Sequence, residues 1–147
     1  MRFLTRAEFL ERRGETEILR LAGSVNGVPN HARVDAAIVA AEAEGVSYLL
    51  GRYGTVLPAA PGDTPGVLKD KLAVIAHRQL ATGSYQVANA LEADVKDARD
   101  WLLRAARGLV DLGIATAPQV DQGGAQILVS QPNPRCRALT FETLKDM

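Results

Sequence analysis

The sequence predicts an all-α fold: a small bundle of four to five helices with an extended C-terminal tail that carries at most a short strand. Three observations lead there. Apolar residues recur at three- and four-residue intervals through most of the first 113 positions. Capping residues and glycine or proline stops punctuate those runs where helices begin and end. Beyond Gly113 the periodicity vanishes and Pro118, Gly123-Gly124, Pro132 and Pro134 break any helix.

In chain order, Thr5 and Glu8 form a capping box in which each side chain satisfies a free backbone N–H of the first helical turn. The helix they start covers Arg6 to Arg13 and stops at Gly14. Thr16 to Leu21 follows, with Ile18, Leu19 and Leu21 as buried positions. Gly23 to Asn30 reads as a loop, because Asn26-Gly27 and Pro29 are turn formers.

Asn30 then caps a long helix whose stripe is Val34, Ile38, Ala41, Gly45, Tyr48 and Arg52, with Leu49 beside it. Gly45 costs this helix about 1 kcal/mol relative to alanine. Either a close helix crossing or a bend accounts for it. The proline-rich elbow from Gly51 to Pro65 reads as ordered but irregular. Thr64-Pro65 has the form of an N-cap followed by a first-turn proline, and Leu68, Leu72, Ile75, Ala76 and Leu80 supply the next buried face. After Gly83-Ser84, Asn89 with Glu92 forms a second candidate capping box. Leu91, Val95, Ala98, Leu102, Ala105 and Leu109 continue at helical spacing, with Trp101 alongside. Acids lead this last helix and arginines close it, which suits its dipole.

The organisation expected is a helical domain over residues 1–113 and an extended arm over 114–147, in which Gln126 to Ser130 is a strand candidate. At 147 residues with 47% hydrophobic residues, one domain can bury an ample core. The formal net charge is zero, which argues against tight, non-specific binding to nucleic acid. Cys136 is the only cysteine, so an intramolecular disulfide and a cysteine-based zinc site are excluded, and a reducing compartment is the simpler reading. The N-terminus lacks the apolar run of a signal peptide, and no stretch reaches the ~20 apolar residues of a membrane span. A soluble, cytosolic-type protein is expected.

Residues able to carry chemistry are sparse. His31 and His77 belong to no H-x-x-x-H or H-E-x-x-H pattern; His31 reads as a solvated or capping side chain and His77 as a semi-buried, satisfied imidazole. Cys136 sits in a proline-flanked tail, far in sequence from either histidine. Gly51-x-x-Gly54 follows a helix rather than a strand and makes no phosphate cradle. Glu42 with Glu44 and Asp94 with Asp97 read as solvated helix faces, and Arg12-Arg13 and Arg135-x-Arg137 as small basic spots. No catalytic residue, cofactor or metal is expected. Two short helices around Gly14 have roughly the outline of a helix-turn-helix, but Glu15 and Glu17 open the second one where it would meet phosphates.

The blocks taken together resemble the small helical head–tail connector proteins of Mu-like phages and prophages. Leu4-Thr5-Arg6-Ala7-Glu8-Phe9-Leu10 through Arg13-Gly14-Glu15-Thr16-Glu17-Ile18 is similar to the family's opening. Val34-Asp35-Ala36-Ala37-Ile38 through Tyr48-Leu49-Leu50-Gly51-Arg52-Tyr53 resembles its long helix. Leu57-Pro58 with Pro65 and Leu68–Leu80, then Asn89–Gly113 with Trp101-Leu102 and Arg107-Gly108-Leu109, resemble the blocks that follow. Arg137 to Lys145 is loosely similar to its closing motif.

The resemblance implies a virion structural protein, not an enzyme, that assembles as a ring, a dodecamer, between portal and tail. Its partners are then further copies of itself, the portal protein and a tail-side stopper or tail terminator protein, with no membrane and no specific nucleic acid, although the genome passes through the ring. It places the protein at the head–tail interface, after a period in host cytoplasm. Chemistry and placement pick Arg52 and Tyr53 at the elbow and Arg135, Arg137, Phe141 and Leu144 in the tail as interface residues. The competing reading is a small helical DNA-binding or regulatory protein, which requires a basic face.

Overall fold

A computed structural model describes residues 3–114 and shows a helical bundle with six helices and one minimal hairpin among those residues. Helix α1 (Arg6–Arg13) opens with the complete capping box: the Glu8 amide donates to Thr5 Oγ1 at 3.2 Å, and the Thr5 amide donates to the Glu8 carboxylate at 2.9 Å. Gly14, at φ 87°, ends α1 and immediately precedes α2 (Glu15–Ala22). The expected loop is a tight antiparallel hairpin, β1 (Ser24–Val25) and β2 (Val28–Pro29). Its turn residues Asn26 and Gly27 have φ of 53° and 78°, the left-handed pair that a two-residue hairpin needs.

Asn30 caps α3 (His31–Tyr53), its side chain accepting from the Arg33 amide at 3.2 Å. The elbow contains 3-10 turns at Gly54–Val56 and Pro61–Asp63, with Leu57 buried between them. Helix α4 (Gly66–Leu80) starts one residue later than the Thr64-Pro65 pattern predicts. Pro65 is itself the extended cap residue, at ψ 137°, because the Thr64 hydroxyl donates back to the Ala60 carbonyl instead of capping forward.

A second difference lies ahead of the last helix. Asn89 and Glu92 form no capping box. Asn89 lies inside a short helix, α5 (Tyr85–Ala90), and Leu91 joins it in helical conformation to α6 (Glu92–Ala106). The extra helix arises because the chain coils as soon as it passes Ser84, one turn before the sequence supplies a capping signal.

The core is built by α3, α4 and α6. Arg33 of α3 reaches the carbonyl of Leu80 at the end of α4, and Gly45 faces Leu72, so these two helices run in opposite senses. Arg78 meets Glu92 at 3.3 Å, which sets α4 against α6. Glu44 meets Arg99 at 2.7 Å, so α3 and α6 run together. The expected faces pack as read: Val34, Ile38, Ala41 and Leu49 of α3, Leu68, Leu72, Ile75, Ala76 and Leu80 of α4, and Val95, Ala98, Leu102 and Ala105 of α6 are buried.

Gly45 resolves into a close crossing. A Cβ there would lie 2.6 Å from Leu72 Cδ2, while α3 continues unbroken through it. Leu109 departs from its stripe and is 72% exposed. The reason is a Schellman stop: Gly108, at φ 76°, donates to Ala105 O and the Leu109 amide to Arg104 O, which turns the chain off the helix axis.

Candidate assembly surface

The N-terminal segment is anchored before α1 begins. Phe3 and Leu4 are buried, and their amides donate to Glu42 Oε1 at 2.7 and 3.0 Å. Glu42 is therefore a structural acceptor inside the bundle rather than a solvated face. Removing such an acceptor leaves two buried N–H groups without it.

Helix α1 lies along α4 through polar pairs. Glu8 accepts from Lys69, whose side chain is almost wholly buried, and Arg12 pairs with Asp70. The hydrogen bond from Lys69, reinforced by the Thr5 amide, holds the Glu8 carboxyl down to about 2. At the other end of α1, Arg13 Nε donates to His77 Nδ1 at 3.2 Å. His77 is 3% exposed, and its Nε2 makes no hydrogen bond, standing 3.7 Å from Glu17 Oε1 on α2. Burial, and then the neighbouring Arg13 charge, push the imidazole below its ordinary value and favour the neutral ring. The expected satisfied imidazole is thus satisfied on one nitrogen only. His31 differs from its solvated reading as well, since its Nδ1 is covered and makes no hydrogen bond.

The His77 ring is buried against Arg13. An open depression of about 440 Å³ beside α1 is lined by Ala7, Leu10, Glu11, Gly14 and Glu15, two acids without a base. Among the described residues no three His, Cys, Asp or Glu side chains gather to hold a metal ion, and no helix is long and apolar enough to cross a membrane.

The elbow picks separate on inspection. Tyr53 is 1% exposed and belongs to the core. Arg52 is half-buried, lying 5.8 Å from the Tyr53 ring centroid and against Gly108, where an added Cβ would fall 2.6 Å from its Cζ. The arginine places its charge at the C-terminal end of α6, where the helix dipole favours a cation. Two blocks quoted separately from the sequence, Gly51-Arg52-Tyr53 and Arg107-Gly108-Leu109, are therefore one contact. Arg135, Arg137, Phe141 and Leu144 lie outside the described residues, as do Cys136, the Gln126–Ser130 strand candidate and the arm that contains them.

The surface that the sequence reading missed is the outward side of α3. Its charged residues are all turned to partners within the chain. Arg33 donates to the carbonyls of Ala22 and Leu80, Asp35 pairs with Arg6 at 3.3 Å, Glu42 holds the N-terminal amides, Glu44 pairs with Arg99, and Arg52 covers Gly108. Arg33 itself remains exposed, and beyond it the residues of α3 that face solvent between Ala36 and Leu50 are Ala36, Val39, Ala40, Ala43, Ser47 and Leu50. Val39 and Leu50 are 51% and 55% exposed. A helix apolar on both sides is the pattern of a helix buried on both sides. The signal was present in the sequence as the run of alanines between the predicted stripe positions, and the structure adds that Asp35 and Glu44 on its flanks pair within the chain.

Comparison with known proteins places this architecture. No curated protein matches the chain. The family model described as bacteriophage Mu, Gp36 matches residues 3–130, which takes in every described helix, the elbow and the start of the arm. The chain belongs to the bacteriophage Mu Gp36 family.

Proposed function

We propose that this phage protein is a virion structural component, a head–tail connector that assembles as a ring between the portal and the tail. The observation that carries the reading is the family match across residues 3–130, covering the ordered series of helices that resembles the connector proteins. The chemistry supports it. Asp35 and Glu44 of the long helix pair within the chain, and the outward strip from Ala36 to Leu50 is mostly apolar. Surfaces of that kind recognise protein by exclusion of water rather than small substrates by convergent polar groups. The protein does no catalysis; its partners are further copies of itself, the portal and a tail-side stopper or terminator protein. A dodecamer is the expected ring, with the genome passing through without sequence-specific contact.

Cryo-electron microscopy of virions, together with a phage deleted for this gene, tests the proposal. Density for the bundle at the neck, and filled heads and free tails that fail to join in the deletion, are the expected results. Intact infectious virions from the deletion phage would overturn it.

A further inference from the structure

We infer that His77 is a proton-operated latch at the corner between α1 and α2: the neutral ring holds the end of α1 through Arg13, and the protonated ring releases Arg13 and takes Glu17 of α2 instead. The latch is a property of the isolated chain and does not depend on the connector assignment.

The two ring nitrogens face opposite charges on different helices. Arg13, the last residue of α1, brings Nε to 3.2 Å and Nη2 to 3.1 Å from Nδ1. Arginine has donors only, so Nδ1 is the acceptor and the neutral ring carries its proton on Nε2. That Nε2 is buried, makes no hydrogen bond and stands 3.7 Å from Glu17 Oε1 in the first turn of α2. A second proton on the ring can go only to Nδ1, where it meets the guanidinium donor to donor. The ring then becomes a cation buried beside another cation, and the bond to Arg13 is lost. The same proton makes an ion pair of the Nε2–Glu17 approach, which a closure of under about 1 Å brings into hydrogen-bond range.

The backbone is built to turn between the two holds. Gly14 is the single residue separating α1 from α2; its φ is 87°, and a Cβ added there would touch nothing. Its amide donates to Leu10 O at 2.9 Å and its carbonyl accepts from the Ile18 amide at 3.1 Å, so each helix end is reported by one bond.

Other charges near this end of α4 are engaged elsewhere or face solvent. Arg33 of α3 donates to the carbonyls of Ala22 and Leu80, and Glu92 of α6 pairs with Arg78. Glu15 and Arg20 of α2 are exposed. Nearer the start of α4, Lys69 pairs with Glu8 and Asp70 with Arg12. Arg13 and Glu17 therefore decide the charge of the ring. Burial and Arg13 favour the neutral form, so acidification below pH 6.5 is what moves the latch. The corner also lines the open depression with Leu10, Glu11, Gly14 and Glu15, and the exchange resets that surface.

Nuclear magnetic resonance of the full chain, with hydrogen exchange, tests the latch between pH 8 and pH 4. Ring nitrogen shifts should show the Nε2–H tautomer at pH 8, and the Arg13 Nε–H signal should move to its free position as His77 titrates. Protection of the Gly14 amide should fall by roughly 10-fold or more in the same step, while the Phe3 and Leu4 amides stay protected. Glu17→Gln, on an exposed side chain, should lower the His77 midpoint by about half a pH unit or more, and Arg13→Gln should raise it. If Arg13→Gln does not fold, the Glu17→Gln shift and the wild-type signals still decide.

A ring that titrates without moving the Arg13 signal or the Gly14 amide would overturn the proposal, as would an unmoved midpoint in Glu17→Gln. Loss of Phe3 and Leu4 protection in step with His77 would also overturn it, since the proton would then undo the bundle rather than reset a corner.

Discussion

Glu8 and His77 make the protein's stability depend on pH through two different charges. The Glu8 carboxyl is held near 2 by Lys69 and the Thr5 amide, against 4.5 when free. Its contribution is complete above pH 4.5 and is lost as pH falls through about 2. Glu8→Gln should therefore cost about 1–2 kcal/mol at pH 7, and the gap to wild type in urea melts should close between pH 4.5 and 2. His77 is depressed for another reason, because burial and Arg13 both oppose its protonation. The neutral ring binds fewer protons folded than unfolded, so its contribution is full above pH 6.5 and declines below it. Wild-type stability should begin to fall from pH 6.5 downward. His77→Asn, which keeps an acceptor for Arg13, should flatten that first part of the profile while leaving the Glu8 part in place. A third residue, Glu42, accepts the buried amides of Phe3 and Leu4. Glu42→Ala should destabilise by about 2–3 kcal/mol, and hydrogen exchange should show protection lost at those two amides.

At the level of elements, glycine positions decide how closely helices approach. Gly45 lets α4 bring Leu72 against the α3 backbone, and Leu72 is itself fully buried. Gly45→Leu is expected to cost about 2–3 kcal/mol by overpacking, read as a lowered melting temperature. Gly45→Ala should cost less, since its helix propensity gains about 1 kcal/mol. Gly108 serves two ends at once. Its positive φ completes the stop of α6, and its bare Cα admits the Arg52 guanidinium. Gly108→Ala should destabilise by about 1–2 kcal/mol, and in an Arg52→Ala background the penalty should shrink to the backbone part alone. Equal penalties in the two backgrounds would mean that the arginine does not share the site. Arg33 acts at the opposite end of α3 in a related way, donating to the final carbonyls of both α2 and α4. It ties three elements together where backbone acceptors run out of helical partners.

For the molecule as a whole, the main described core draws on α1 to α4, α6 and the N-terminal Phe3-Leu4 segment, with Ala88 of α5 in a small separate cluster beside Ala81 and Leu91, and residues 1–117 form a compact unit by themselves. A chain ended after Ala117 should therefore unfold cooperatively and keep the helical circular dichroism of its six helices. Non-cooperative melting of that fragment would show that the arm is needed for folding. Charge is distributed unevenly over the described residues. Ion pairs knit α1 to α4 and α3 to α6, while the longest helix exposes a mostly apolar strip from Ala36 to Leu50.

What the sequence by itself determined was local: where most helices cap and stop, and which stripe of each is apolar. Thr5 with Glu8, Asn30, and the runs Leu68–Leu80 and Val95–Ala105 behave as read because their partners lie within a few residues. What only the tertiary structure decided depends on residues far apart in the chain. Whether Gly45 is a crossing or a bend is answered by Leu72, and whether Glu42 is solvated or buried is answered by Phe3 and Leu4. Arg52 and Gly108 acquire a joint meaning only when α3 and α6 lie side by side. The outward face of α3 became visible last, because a run of alanines is equally compatible with core and surface. The tertiary contacts decide it: Asp35 pairs with Arg6 and Glu44 with Arg99, which leaves the strip from Ala36 to Leu50 mostly apolar.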